Sequence, residues 1–399
     1  MLIKNLKNAY SPLYFLSALG PGGMAVSFFM YLMFLVPHKG SPMTAMEHWL
    51  PIVEKGGFNA ILIITVLSIV VILASIHFLL LAWNLKEWKI YKQTDAYQNL
   101  KQGNGEVTVM AIPLTVAMSI NMMFILGSLF VPGLWSFIQP VFPIATFAFF
   151  SVGVWALVIY GKYLLRLFIE GNFNQEKNNS LSQLLAPFTF AMIAVGLAAP
   201  GAMSHSLAVS GVSLALSAMF SILTVLLSIF WLISGVKQIL QSGLDLGGSP
   251  TLWILIPILT LLGITFVRYT MGLHHNFGSS LENSLFLAVM SIILGLQLLI
   301  GSFGYFVMKA NRYFEQFVQG DKNSPASFGL ICPGVALVVF SFFYINYALI
   351  GNGIIDKYSI AHMLLLIPVL VLQLKTTWVM LTMIRKQIMV KTQAIVKQN

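Results

Sequence analysis

Ten long apolar runs divide this sequence, and they constrain its fold more than any other feature. They cover about residues 12–36, 58–86, 108–131, 138–165, 181–203, 207–236, 250–271, 281–308, 325–349 and 358–384. About 20 apolar residues in a helix cross the hydrocarbon core of a bilayer. Only 9% of the residues are charged, against roughly 25% in soluble domains. The sequence therefore predicts an all-α integral membrane protein, with ten transmembrane helices forming a single domain.

Proline recurs in the first half of every odd-numbered run. The five prolines are Pro21, Pro113, Pro187, Pro257 and Pro333. Successive prolines are 92, 74, 70 and 76 residues apart, and each interval holds two runs. A repeat of this length indicates a helical hairpin that occurs five times in tandem. The predicted hairpins cover about 12–86, 108–165, 181–236, 250–308 and 325–384.

Proline also predicts which helices face the interior. It removes a backbone donor and kinks a helix, and freed backbone groups are tolerated at membrane depth only beside protein or water. We therefore expect the odd helices to surround a central, partly hydrated pore, with the even helices as a lipid-facing shell. The polar residues predicted to line this pore are Ser27, Thr115, Ser119, Asn121, Thr189, Thr265 and Ser341.

Basic residues predict the orientation in the membrane. Each even run is closed or followed by one of Lys86, Lys162, Lys237, Lys309 and Arg385. By the positive-inside rule these ends are cytoplasmic, as are both termini. Eighteen of the 22 Lys and Arg residues then lie inside. The net charge of +10 is accordingly explained by topology, and we predict no nucleic-acid partner.

The acidic residues narrow the class of transported ion. All twelve Asp and Glu residues lie outside the apolar runs or, as with Glu282 and Asp356, at their edges, whereas proton- and sodium-coupled carriers usually bury a carboxylate. Cation channels often use rings of Asp or Glu. A pore without negative charge, lined by hydroxyl and amide groups under a basic cytoplasmic rim, favours anions. Arg268 is predicted to attract anions at the outer mouth, and the alternative is an arginine that snorkels to the interface.

Enzyme and cofactor signals are weak. The sequence contains no nucleotide-binding loop, redox motif or nucleophile constellation, so we predict no enzyme activity, cofactor or metal. A haem-bearing cytochrome would need paired histidines in facing helices, and only His77 and His362 lie within the runs. For His77 a hydrogen bond between helices is the favoured role. The single cysteine, Cys332, excludes an intramolecular disulfide.

Five tandem hairpins with proline in each inner helix resemble the tellurite-resistance/dicarboxylate transporter family, which includes the plant slow-type anion channels. The stretch "AIPLTVAM", residues 111–118, is most similar to that family. The resemblance implies a homotrimer with one pore in each subunit and no cofactor. Plant members carry long regulatory tails, whereas the predicted tails here have only about ten and fifteen residues. This favours a bacterial protein of the inner (plasma) membrane.

The resemblance also implies a gate. In the family a phenylalanine directly before the helix break of the ninth span plugs the pore. The stretch "SFGL" nominates Phe328, whereas the repeat register makes Pro333 the break and places Cys332 before it. In that second register Phe340 or Phe28 would supply the plugging ring.

Two functions remain open at this point. The leading prediction is a channel or uniporter that passes small inorganic anions, such as chloride and nitrate, down their gradient. The alternative is a coupled exporter of oxyanions or dicarboxylates, such as tellurite, sulfite or malate. Coupling would need a protonatable group in the pore, and the odd runs offer no obvious one. In either case the expected partners are small anions and membrane lipid.

Overall fold

The computed structural model describes residues 2–176 and 178–389, and within them ten helices are long and apolar enough to cross a membrane. In chain order, spans 1 to 10 are Pro12–Leu35, Phe58–Tyr91, Asn104–Phe130, Val141–Glu170, Ser182–Met203, Leu207–Ser242, Ser249–Phe277, Asn283–Ala310, Pro325–Ile350 and Ile360–Gln387. Each predicted apolar run overlaps one of these spans. The predictions of an all-α fold and of ten apolar helices are therefore confirmed.

Burial separates the spans into two classes. In the odd spans, between 50% and 94% of the most apolar window is buried inside the protein, against 17% to 33% in the even spans. The even spans expose large apolar side chains such as Phe168 and Leu240, both more than 80% exposed. Such surfaces are stable in hydrocarbon, because lipid tails are as apolar as leucine. We call the odd spans inner and the even spans outer.

The inner spans contact one another in a closed ring. Span 1 packs against spans 3 and 9, span 5 against spans 3 and 7, and span 7 against span 9. Each inner span also packs against the outer span that follows it in the chain. Small residues permit close approach at these contacts. A Cβ atom at Gly22 of span 1, for example, would lie 2.8 Å from His77 Nδ1 of span 2.

Each inner span begins as a 3-10 helix and continues as an α-helix. The α-helical parts are Leu16–Leu35, Ala111–Phe130, Leu185–Met203, Leu255–Phe277 and Ile331–Phe343. Proline is the third α-helical residue in spans 3, 5, 7 and 9, and the sixth in span 1. Near the start of an α-helix proline is well tolerated, because those N–H groups lack a partner within the helix. The prolines therefore mark the junction where 3-10 geometry becomes α-helical.

Several short elements were not predicted. Two are helices with polar faces, Met46–Lys55 and Asp95–Gln102, which are too short to register as apolar runs. Helix Leu134–Phe137 lies between spans 3 and 4, and π-helical segments cover Phe314–Gln319 and Tyr344–Ile350. The outer spans 2, 4 and 6 also run about five residues beyond their predicted ends, because lysine, arginine and glutamate are good helix formers.

The chain ends meet at one end of the bundle, which we call the terminal end. The Ile3 backbone N–H donates to the Ile388 carbonyl over 2.8 Å. The buried Glu87 carboxylate accepts hydrogen bonds from the backbone N–H groups of Asn5 and Leu6. The prediction that both termini are cytoplasmic concerns Met1 and residues 390–399, which lie outside the described residues.

Candidate functional site

Two cavities lie along the axis of the inner ring. The inner cavity has a volume of about 170 Å³, and all five inner spans contribute to its wall. The terminal cavity has a volume of about 320 Å³ and lies between the 3-10 segments at the terminal end. All five inner spans contribute to the walls of both cavities.

Three residues belong to the walls of both cavities. They are Phe188 of span 5, Pro257 of span 7 and Cys332 of span 9. We call them the partition. The Phe188 side chain is only 4% exposed, so its ring fills space between the two cavities. The partition residues lie close to the 3-10 to α junctions of spans 5, 7 and 9.

The wall of the inner cavity is almost entirely apolar. Apart from the Cys332 thiol, its polar side chains are Asn121, Thr260 and Arg268. Thr260 is fully engaged, since its hydroxyl donates to the Ala336 carbonyl and accepts from Gln297 Nε2. Asn121 donates to the carbonyl of its own helix at Ala117. Arg268 therefore carries the one charge among the described residues of this wall.

Arg268 lies on the wall of the inner cavity, near the end of span 7 that is distant from the terminal end. It follows Pro257 by eleven residues, which is roughly 16 Å along an α-helix. Its Nη1 donates to the Val195 carbonyl of span 5 over 2.7 Å. That bond holds the guanidinium at the wall of the inner cavity.

No carboxylate balances this charge. The ion pairs within residues 2–176 and 178–389 join Lys101 and Arg166 to Glu106, and Arg312 to Glu315. The bond to Val195 uses one N–H of Arg268, and in the described structure its other N–H groups make no hydrogen bond to protein. Guanidinium carries five N–H donors. Arg268 thus presents unused donors to the inner cavity.

The terminal cavity has more polar side chains in its wall than the inner cavity, and one of them is acidic. Its wall includes Ser180, Ser182, Thr251 and Ser324, together with Asp245. The Asp245 carboxylate is exposed and accepts the Gly248 N–H over 2.7 Å. Among the described residues no lysine or arginine lines this cavity. The basic rim expected here from the sequence is therefore not part of the cavity wall itself.

Of the seven polar residues predicted to line the pore, only Asn121 lies on a cavity wall. Two of the threonines instead connect neighbouring inner spans. The Thr115 hydroxyl lies 3.2 Å from the Phe15 carbonyl of span 1, and the Thr189 hydroxyl lies 3.0 Å from the Met110 carbonyl of span 3. Both carbonyls end a 3-10 segment. These hydroxyls satisfy backbone acceptors at the junctions, where burial without a partner would be costly.

The serines mostly connect inner to outer spans. Ser27 accepts a hydrogen bond from Gln373 Nε2 of span 10. Ser119 bonds to His77 Nε2 of span 2, while His77 Nδ1 bonds to the Ala18 carbonyl. His77 thus makes the hydrogen bond between helices that was predicted.

The two remaining hydroxyls bond within their own helices. Thr265 donates to the Leu261 carbonyl, and Ser341 donates to the Leu337 carbonyl. Both acceptors lie four residues earlier in the chain, a common way for a membrane helix to satisfy a hydroxyl group. Neither side chain contributes to a cavity wall.

The three phenylalanines nominated as gates all lie outside both cavity walls. Phe328 is fully buried at the terminal end, with its ring edge-on to Tyr14 at 6.1 Å. Phe340 is fully buried, in contact range of Gly263. Phe28 packs beside Tyr31. In this structure each of the three serves as a packing residue.

Sequence reasoning missed Phe188, although a signal for it exists. Pro257 and Pro333 line a cavity, whereas Pro21, Pro113 and Pro187 do not. Phe188 directly follows Pro187, and Cys332 directly precedes Pro333. Direct neighbours of the prolines thus line the cavities as well as two of the prolines themselves. Examining those neighbours in every repeat would have nominated Phe188.

Comparisons with known proteins do not assign this chain to a family. No family model matches the chain, and no curated protein matches it. Among the described residues, no group of three or more His, Cys, Asp and Glu side chains is arranged to hold a metal ion. The resemblance to the tellurite-resistance/dicarboxylate transporter family remains a prediction.

Proposed function

We propose that this protein is a passive, anion-selective channel or uniporter whose pathway runs along the axis of the inner ring. The observation that carries the proposal is Arg268, the one charged side chain among the described residues of the inner cavity, which has no carboxylate partner. In this proposal the two cavities are the two halves of the pathway, and the partition closes the pathway in the state described.

Electrostatics favour an anion in this setting. A monovalent anion about 4 Å from the guanidinium gains roughly 4 kcal/mol at an effective dielectric constant of 20, and a cation loses as much. That gain offsets part of the cost of removing water from the ion. Weakly hydrated anions such as nitrate pay the smallest dehydration cost, so they should permeate best.

Passive flux is favoured over coupled export. Coupling to protons needs a group in the pathway that exchanges them, most often a carboxylate. No carboxylate lines the described wall of the inner cavity. Asp245 borders the terminal cavity, but it lies on an exposed loop and is engaged by Gly248. The exporter of oxyanions or dicarboxylates therefore remains the second candidate.

The proposal also covers the hairpin architecture, the orientation in the membrane, the family and the assembly. Contact of each inner span with the following outer span, and the recurring 3-10 to α junction, support a fold of five tandem hairpins. The basic residues at the terminal end favour a cytoplasmic location for that end. Membership of the tellurite-resistance/dicarboxylate transporter family, a homotrimeric assembly and a bacterial inner membrane follow from the sequence resemblance.

Flux from proteoliposomes tests the passive mechanism. With the membrane potential clamped, we expect nitrate and chloride efflux to follow the potential and to be unchanged by a pH gradient of one unit. Protein-free liposomes of the same lipid provide the baseline. Net anion movement driven by the pH gradient at zero potential would instead establish the coupled exporter.

A further inference from the structure

We propose that the inner cavity binds a monoanion with a compact apolar body, the chemical class of an aromatic or short branched carboxylate. The carboxylate would lie at Arg268, and the hydrocarbon body would fill the rest of the cavity. This inference deepens the proposed function, because it rests on the same cavity and names the kind of anion that this cavity holds best.

The volume of the inner cavity exceeds what a single small inorganic ion requires. It measures about 170 Å³, and an engineered protein cavity of about 150 Å³ lined by aliphatic and aromatic side chains binds benzene. A body of about six carbon atoms therefore fits. A halide or nitrate ion alone would leave most of the wall without contacts.

The wall chemistry points to the same kind of body. Flexible thioethers line the cavity at Met30, Met118 and Met192, and aromatic rings line it at Phe29 and Phe124. Methionine adapts to irregular shapes and makes favourable contacts with aromatic rings. Burying apolar surface here gains roughly 25 cal/mol per Å², whereas a hydrated inorganic ion gains nothing from such a wall.

The charge of the wall sets the charge of the ligand. Arg268 has unused N–H donors, and a guanidinium pairs with a carboxylate through two parallel hydrogen bonds. A second carboxylate on the ligand would meet only apolar groups or side chains that are already engaged, such as Thr260. Burying a charge without a partner is strongly unfavourable. The cavity should therefore discriminate against dicarboxylates.

Equilibrium binding of radiolabelled benzoate to the purified, detergent-solubilised protein tests this inference. We expect saturable binding that cyclohexanecarboxylate displaces. Acetate, the dianion phthalate and neutral benzyl alcohol should each be at least tenfold weaker competitors. Arg268→Gln should weaken benzoate binding at least tenfold, while Arg268→Lys should weaken it less, because lysine keeps the charge but loses the paired hydrogen bonds.

A second variant tests the contribution of the cavity space to binding while the charge of Arg268 is kept. Ala199 lines the inner cavity and is partly buried, so Ala199→Leu fills space without removing Arg268. It should weaken benzoate binding more than acetate binding. Equal affinity for benzoate and acetate, phthalate binding as tight as benzoate, or unchanged binding by Arg268→Gln would each overturn the inference.

Nitrate flux from proteoliposomes made with the same purified protein keeps this inference distinct from the proposed function. Nitrate flux without saturable benzoate binding would overturn the ligand assignment and leave the anion pathway standing. Benzoate binding without any nitrate or chloride flux would support the cavity assignment and overturn the channel.

Discussion

Replacing Phe188 with alanine is expected to raise anion conductance at least tenfold without changing which ions permeate. The ring lies in the wall of both cavities and is nearly fully buried. A bulky apolar group at a constriction blocks ions sterically and also excludes water. Its removal joins the two cavities but leaves Arg268 and Asn121 in place. Whole-cell or bilayer currents, normalised to surface protein, measure the effect.

Phe190 provides the matched control, because it lies on the same helix two residues further on. It is fully buried, lines neither cavity and packs against Phe220 with ring centroids 6.0 Å apart. Phe190→Ala should cost about 3–5 kcal/mol of stability and should not raise the normalised current. The same outcome is expected for Phe328→Ala. An increase with Phe328→Ala but not with Phe188→Ala would show that the family motif, and not the cavity geometry, identifies the gate.

Arg268→Gln is expected to lower nitrate and chloride conductance at least tenfold and to weaken anion selectivity. The substitution removes an attraction of roughly 4 kcal/mol for an anion about 4 Å away. Glutamine retains an N–H donor that can reach the Val195 carbonyl, so the packing of spans 5 and 7 is less disturbed. Currents from Arg268→Gln in the open background of Phe188→Ala give the cleanest comparison.

Arg268→Lys is the matched control for charge. Lysine keeps the positive charge but not the planar donor geometry, so conductance should stay within about threefold of the natural protein. Unchanged conductance and selectivity in Arg268→Gln would contradict the role of this charge. A drop of equal size in both variants would assign Arg268 a structural role instead.

The number and class of the helices were predictable from the sequence, because membrane spans depend on local apolar length. Proline spacing also separated inner from outer spans. The expected kinks were wrong as the reason, because Pro113 and Pro187 stand in the first turn of their α-helices, where proline removes no helical hydrogen bond. The residues at which the inner spans become α-helical were not predicted. A 3-10 segment precedes each α-helix, and no simple sequence pattern distinguishes the two geometries at such a junction.

The direction of individual side chains was not predictable in the same way. Thr115 and Thr189 were expected to face the pore, yet they bond to carbonyls of neighbouring spans. A buried backbone carbonyl and a water molecule can each accept a hydrogen bond from a threonine hydroxyl. Which of the two the hydroxyl bonds depends on which helices lie beside it. Helix adjacency is a long-range property, which also explains why Phe188 was missed.

The reversal potential in asymmetric salt tests the central claim, an anion-selective pathway past Arg268, most directly. With a tenfold gradient of potassium nitrate across a bilayer containing the purified protein, ideal anion selectivity shifts the reversal potential by about 59 mV toward the nitrate equilibrium potential. The proposed function predicts a shift close to that value, for the natural protein and for Phe188→Ala alike. A shift toward the potassium equilibrium potential would contradict it.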